Sequence, residues 1–201
     1  MMTDSKRTRY TLFSTLIAPH LDSACTLAGW MVGSDSVEDV VRDACFRAMR
    51  CLMEEDSETD ESNGRVLLLS FVHQSGRAWV RRQDFAAGRY LNSGDSSLAE
   101  ADSKLSGWGV SSDVSLHRDD ALHRIRDCSE AEINKWLMGL PLACRVAMVL
   151  RDIEGLRYDQ IAQVVGITPD QVTPRLAEAQ RLLHRAWMVD QFAENERRDD
   201  L

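Results

Sequence analysis

YDQIAQVVGITPDQVTPRL, residues 158–176, has the spacing of two short helices joined by a tight turn. Gly166 stands where such a turn needs a left-handed backbone, which other residues adopt only at a steric cost. Ala162 stands where the two helices cross closely, and Ile161, Val165, Ile167, Val172 and Leu176 supply a small shared core. Thr168 and Pro169 read as an N-cap and a first-turn proline, so a last helix is expected to start there and run to about Val189. This is the helix-turn-helix pattern, in which one helix props the next at the angle needed to enter the major groove of DNA. Two helices around a glycine are as often plain packing, and this segment alone leaves both readings open.

Upstream, Ile133, Trp136, Leu137 and Leu140 lead to Pro141, and Ala143, Val146, Ala147, Val149 and Leu150 lead to Gly155, completing a C-terminal helical block. Before it, roughly residues 92–127 shift to Ser, Asp and Gly and read as a flexible linker. Near the N-terminus, Leu12, Phe13, Leu16, Ile17, Leu21, Ala24, Leu27, Ala28 and Met31 recur at three- and four-residue steps, predicting one amphipathic helix closed by Gly33 and Ser34. Ser36 is expected to cap a second helix with Val37, Val40, Val41, Ala44, Ala48 and Leu52 on one face and Glu38, Asp39, Arg42, Asp43, Arg47 and Arg50 on the other. The run EEDSETDE at 54–61 holds six acidic residues in eight and reads as a loop. Val66 to Val80 predicts a third helix, weakened by Gly76. The expected fold is all-α, with two small helical domains joined by a flexible linker: 1–92, a linker at 93–127, 128–190 with the helix-turn-helix, and a polar tail at 191–201.

Composition narrows the function. The 201 residues are 44% hydrophobic and 28% charged, typical of a globular protein, and no apolar run approaches the roughly 20 residues of a membrane-spanning helix. Membrane insertion is not expected. The stretch from Lys6 to Ala18 faintly imitates a signal peptide, but Pro19, His20 and Asp22 cut it short, so it is read as mature protein. With 24 Lys+Arg against 32 Asp+Glu, the net charge of −8 excludes a polycation that coats nucleic acid indiscriminately. The five cysteines include no C-x-x-C pair, so reduced cytosolic thiols are expected, with no disulfide and no metal. The tryptophans read as core or interface anchors.

Two segments carry a family resemblance. Leu140-Pro141, RVAMVLRDIEGLRYDQIAQVVGI at 145–167, Val172, Arg175-Leu176 and Ala179 resemble the C-terminal domain of bacterial extracytoplasmic-function (ECF) sigma factors of the sigma-70 superfamily. Independently, SVEDVVRDACFRAMR at 36–50 resembles the helix of the N-terminal sigma domain that docks on core RNA polymerase. The two occur in the family's order and separation. The resemblance implies a cytoplasmic transcription initiation factor, not an enzyme and without cofactor, that melts the minus-ten element and reads the minus-thirty-five element of promoter DNA under control of an anti-sigma factor. Position by position, Asp39, Arg42, Asp43, Phe46 and Arg47 fall on the polymerase-docking helix, and Gln171, Thr173, Arg175 and Arg181 on the DNA-reading helix. Arg175 is expected to be the principal base or phosphate contact.

The departures from the family lie on the DNA side. His73 and Gln74 stand at an Arg-Asn pair and Ala78 at an Asp, while the acidic run occupies the loop that captures an unstacked base. Six carboxylates there repel phosphate. Pro174 replaces a usual Ser and removes the amide that the Asp170 carbonyl would receive, which costs about 3 kcal/mol in a regular helix. Thr173 replaces Lys, Glu178 replaces a basic residue, and Leu156 to Trp187 carry four Arg against three acids, a net +1. Polymerase contact is therefore better supported than DNA reading. The alternative function is a sigma-like interaction protein that binds an anti-sigma factor or polymerase without reading promoters; a standalone helix-turn-helix repressor would not need the docking helix.

Overall fold

The computed structural model describes residues 11, 13–54, 61–87 and 129–199. The expected linker at 93–127, residues 55–60 of the acidic run, Trp108 and Cys128 lie outside them. The fold is all-α, with no strand among the described residues.

The single N-terminal helix expected from Leu12 to Met31 is three pieces. A π-helical turn, Phe13–Ile17, passes into a 3-10 turn, Ala18–His20, and then into α1, Leu21–Val32. The cause is Pro19, which has no N–H to donate and whose ring excludes the preceding turn, so it sits at the first turn of a new helical segment. The apolar stripe survives the break: Leu16, Ile17, Ala24, Leu27, Ala28 and Met31 are all buried. Gly33, at φ 80°, ends α1 by donating to the Gly29 carbonyl at 3.0 Å. A 3-10 turn, Ser34–Ser36, leads into α2, Val37–Glu54, which buries Val40, Val41, Ala44 and Ala48 as the periodicity predicts.

Helix α3, Glu61–Ala86, is longer than the expected 66–80 and starts inside the acidic run. It packs against α1 and α2 and also against the helix-turn-helix, so it is covered on more than one side. Leu68, Leu69 and Val72 are fully enclosed, each contributing about 1.5–3 kcal/mol by burial. The double coverage also encloses polar His73 and Ser75 and two glycines. At Gly64, a Cβ would collide with the backbone carbonyl of Leu16 in the π-helical turn. At Gly76 it would meet only the tip of Met31, Cε at 2.8 Å and Sδ at 3.0 Å.

The second half opens with a capping box. The Ser129 hydroxyl accepts from the Glu132 amide at 3.4 Å, and the Glu132 carboxylate accepts from the Ser129 amide at 2.7 Å. That box starts α4, Glu130–Gly139. Pro141 precedes α5, Leu142–Met148, which continues as a π-helical run, Val149–Ile153. Then follow α6, Tyr158–Val165, and α7, Pro169–Asp199. Trp136 is buried as an anchor, its indole N–H donating to Asp190 at 2.5 Å while Lys135 pairs with the same carboxylate at 2.8 Å, tying α4 to α7. Pro174 lies inside α7 without ending it, and the helix extends into the stretch read as a polar tail. Side chains of both halves form one continuous core.

The glycines give a ranked test. Gly64→Ala should lower the free energy of unfolding by about 2–3 kcal/mol, because a backbone carbonyl cannot rotate away. Gly76→Ala should stay within about 1 kcal/mol of wild type, since Met31 is flexible and Ala favours the helix. Urea denaturation of both variants measures this, and the reverse ranking would contradict the packing of α3 on the N-terminal turn.

Candidate functional site

The helix-turn-helix forms as its spacing predicts. Gly166 takes the left-handed conformation at φ 76° and donates to the Ala162 carbonyl at 2.8 Å, which Ile167 also reaches at 3.0 Å. Ile161, Ala162, Val165, Val172 and Leu176 are buried between α6 and α7. At the start of α7, the Gln171 side chain folds back to accept from the Thr168 amide at 3.3 Å, half of a capping box.

Of the residues expected to read DNA, Gln171, Thr173 and Arg181 are exposed, and Arg181 is held by Glu178 in a bidentate pair at 2.6 and 2.8 Å. Arg175 differs from expectation: it is 4% exposed. It is enclosed where α3 lies against the helix-turn-helix, close enough to His73 of α3 to act on its charge. A groove-reading arginine must be accessible, so in this arrangement Arg175 meets protein and not a base edge.

The seam between the halves is built by two arginines and one neutral histidine that each reach a helix C-terminus across it. Helix ends leave backbone carbonyls without an intrahelical partner and carry a partial negative charge. Arg65 of α3 donates to the Glu154 carbonyl at 2.8 Å, at the end of the π-helical run, and to the Glu154 carboxylate at 2.5 Å. The Glu154 side chain is 6% exposed, so the pair is sheltered from solvent. In the opposite direction, Arg145 of α5 donates to the Trp30 carbonyl in the last turn of α1 at 2.9 Å. His73 hydrogen-bonds the backbone of Val164 near the end of α6, a contact that favours the protonated ring and so one in which the imidazole donates. Burial is the larger effect on His73, and with the Arg77 and Arg175 guanidiniums beside it the ring is pushed down to about 4.

The charged face of α2 is arranged differently along its length. Asp39 and Arg42 are exposed, with Arg42 paired to Glu38 at 2.6 Å and to Asp39 at 3.3 Å, contacts worth little in water. Phe46 is 71% exposed, an aromatic ring with no apolar cover on the same face. Asp43 and Arg47 are turned toward α3: Ser75 donates to Asp43 at 2.5 Å, and Arg47 donates to Gln74 at 2.6 Å and lies 5.2 Å over the Phe71 ring. The five residues thus share one helix, two of them also bracing α2 against α3.

Sequence reasoning missed Arg65, Arg145 and Glu154. Each reads as an ordinary surface charge, because the carbonyl or carboxylate it meets lies in the other half of the chain. Cys25, Cys45, Cys51 and Cys144 form no disulfide, and no group of three metal-ligating side chains occurs among the described residues.

Comparison with known proteins follows the same lines. Residues 130–183 match the family model described as Sigma-70, region 4. Over 174 residues, 85% of this chain and 84% of the relative, the chain is 24% identical to the ECF RNA polymerase sigma-E factor of Escherichia coli (strain K12). It matches the factor of the same name from Salmonella typhimurium (strain LT2) at the same identity and coverage. Its fold is similar to that in the co-crystal structure of the sigma factor RpoE with the anti-sigma factor NepR from Bartonella quintana, with a TM-score of 0.55 and 16% identity, covering 92% of this chain and 99% of that one.

His73 gives this seam a pH signature. Its folded-state value of about 4 lies below the ordinary 6.5, so the unfolded chain takes up the proton first as pH falls. The stabilisation is intact above about pH 6.5 and is lost progressively toward pH 4. Between pH 7.5 and 5 the loss should be about 2 kcal/mol in the wild type and should vanish in His73→Gln, read by denaturation at the two pH values. Equal pH slopes in the two proteins would contradict a neutral, enclosed His73.

Proposed function

We propose that the chain is a sigma factor of the sigma-70 family, of its ECF group, that binds core RNA polymerase and directs promoter-specific transcription initiation. It is a transcription initiation factor, not an enzyme. The observation that carries the reading is the helix-turn-helix of 158–183, with its left-handed Gly166 and the exposed Gln171 and Thr173 at the start of the second helix. The N-terminal half contributes the polymerase contact through Asp39, Arg42, Asp43, Phe46 and Arg47. The exposure of Phe46 amid charges supports this, since an uncovered aromatic ring with a polar surround is a common protein-contact anchor.

DNA contact falls to Gln171, Thr173 and Arg181, joined by Arg175 once the halves separate. The domain division at 93–127 fits this use, because a linker lets the two halves reach separate promoter elements. An anti-sigma factor is the expected regulatory partner; the complex of RpoE with NepR is a precedent in a protein of similar fold. The place of action is the cytoplasm, where polymerase and DNA reside, and no described helix is long and apolar enough to cross a membrane.

Run-off transcription with purified core polymerase on genomic DNA fragments tests the function. The chain should add discrete transcripts that core polymerase alone does not make, and an unchanged transcript pattern would refute it. Phe46→Ala and Asp39→Lys should each weaken polymerase binding about 5- to 10-fold, roughly 1–1.4 kcal/mol, at unchanged stability. Fluorescence titration against core polymerase measures this, and wild-type affinity in both variants would remove α2 from the interface.

A further inference from the structure

We propose that Cys25 and Cys45 form a redox modification site, joined by peroxide in a reversible disulfide between α1 and α2 that costs the chain its hold on core polymerase. The loss of binding rests on the sigma-factor reading above; the formation of the bond does not.

Register places the two thiols together. Helices α1 and α2 fold back on each other about the turn at Gly33 and Ser34–Ser36. Cys25 stands seven residues before the end of α1 at Val32, and Cys45 eight after the start of α2 at Val37. Both therefore lie at one height above the turn, about 10–12 Å at the helical rise. A second contact fixes the flanks. A Cβ at Gly29 would lie 3.8 Å from Val37 Cγ2, and Cys25 is one turn from Gly29 while Cys45 is two turns from Val37, each in its neighbour's row. Ala24, Ala28, Ala44 and Ala48 are buried beside these rows and are small enough to let the two backbones approach. Burial, and then the Cys25 sulfur nearby, push the Cys45 thiol up, so the two sulfurs are close enough to act on each other's charge.

The two thiols also differ as a sensing pair requires. Cys25 is exposed and meets an oxidant from solvent, while Cys45 is half-buried and held protonated, a resolving thiol. The Cys25 thiolate attacks one oxygen of hydrogen peroxide: an S–O bond forms, the O–O bond breaks, the sulfur gives up two electrons and one water leaves. The Cys45 sulfur then displaces hydroxide from the Cys25 sulfenic acid, forming the S–S bond, and its proton leaves with that hydroxide as a second water. Two thiols and one peroxide thus give one disulfide and two waters, and a dithiol reverses the bond by exchange. Bonds of this transient kind are the disulfides that a reducing cytoplasm admits.

Closing the bond requires Cα atoms within about 7 Å, which clamps this flank of α2 to α1. On the other flank, Asp43 and Arg47 hold Ser75 and Gln74 of α3. Drawn toward α1 and held by α3, α2 answers by rolling about its axis. Phe46, the next residue after Cys45, then turns out of the position in which it meets polymerase.

The test treats the reduced full chain with a small molar excess of hydrogen peroxide, maps linkages by mass spectrometry of non-reduced peptides, and titrates core polymerase by fluorescence. A Cys25–Cys45 linkage should dominate, polymerase affinity should fall about 10-fold, and dithiothreitol should restore it. Cys25→Ser should keep the affinity of the reduced chain through the same treatment. In Cys45→Ser, which lacks the resolving thiol, dimedone should trap a sulfenic acid on Cys25. If Cys45→Ser loses helix content by circular dichroism, Cys45→Ala is read the same way. Linkage through Cys51, Cys128 or Cys144, a covalent dimer, or a bridged chain that binds polymerase as tightly as the reduced one overturns the proposal. The underlying function is judged separately: a reduced chain that binds polymerase and yields run-off transcripts but forms no Cys25–Cys45 bond refutes the redox site alone. A chain that forms the bond but binds no polymerase even when reduced refutes the sigma-factor reading, and with it the control of docking.

Discussion

Helix C-termini that cannot satisfy their own carbonyls govern how this molecule closes. The ends of α1, of the π-helical run and of α6 each present a carbonyl group that is met by a polar side chain from the opposite half, two arginines and a neutral histidine: Arg145 on Trp30, Arg65 on Glu154, His73 on Val164. Because the capping runs in both directions, neither half is complete at these points without the other. Removing one partner from the sheltered Arg65–Glu154 pair leaves a charge without compensation, a loss of about 3–5 kcal/mol where such a pair is fully buried and less here, since the Arg65 side chain is 30% exposed. Helix α3 is the element that makes this possible. It must be apolar toward α1 and α2, tolerate close approach at Gly64, and still offer polar groups to the helix-turn-helix.

What could be read from the sequence is what local physics determines. The all-α fold, the turn at Gly166 and the core of α6 and α7 follow from periodicity and from one residue's freedom to adopt a left-handed backbone. The stripe of α2 follows likewise. The single N-terminal helix was an overextension of the same reasoning, because the apolar period continues across Pro19 while the hydrogen-bond ladder does not. Gly76, a weakness by propensity, is tolerated where Met31 packs over it. Gly64 gave no signal, since its role exists only when the π-helical turn arrives from 48 positions away.

The site was legible in part for the same reason. Which residues lie on α2 and α7 is a matter of helical register, and the register held. Whether a residue faces solvent depends on what the other half covers, and no window of sequence records that. Arginine is rarely enclosed, so Arg175 reads as a surface contact until α3 is laid against it. Asp43 and Arg47 likewise read as a free charged face, yet Ser75, Gln74 and Phe71 hold them to α3. The departures at His73 and Gln74 gain a physical account from what α3 packs against: His73 meets α6 and Gln74 meets α2.

The central claim is that the two halves form one rigid body in the free protein. Residual dipolar couplings of backbone amides, collected in one weakly aligned sample for residues 21–86 and for residues 142–189, address it most directly. One alignment tensor should fit both sets, because capping across the seam fixes their relative orientation. Two tensors of different magnitude would mean that the halves tumble separately, and the enclosure of Arg175 would then not describe the protein in solution.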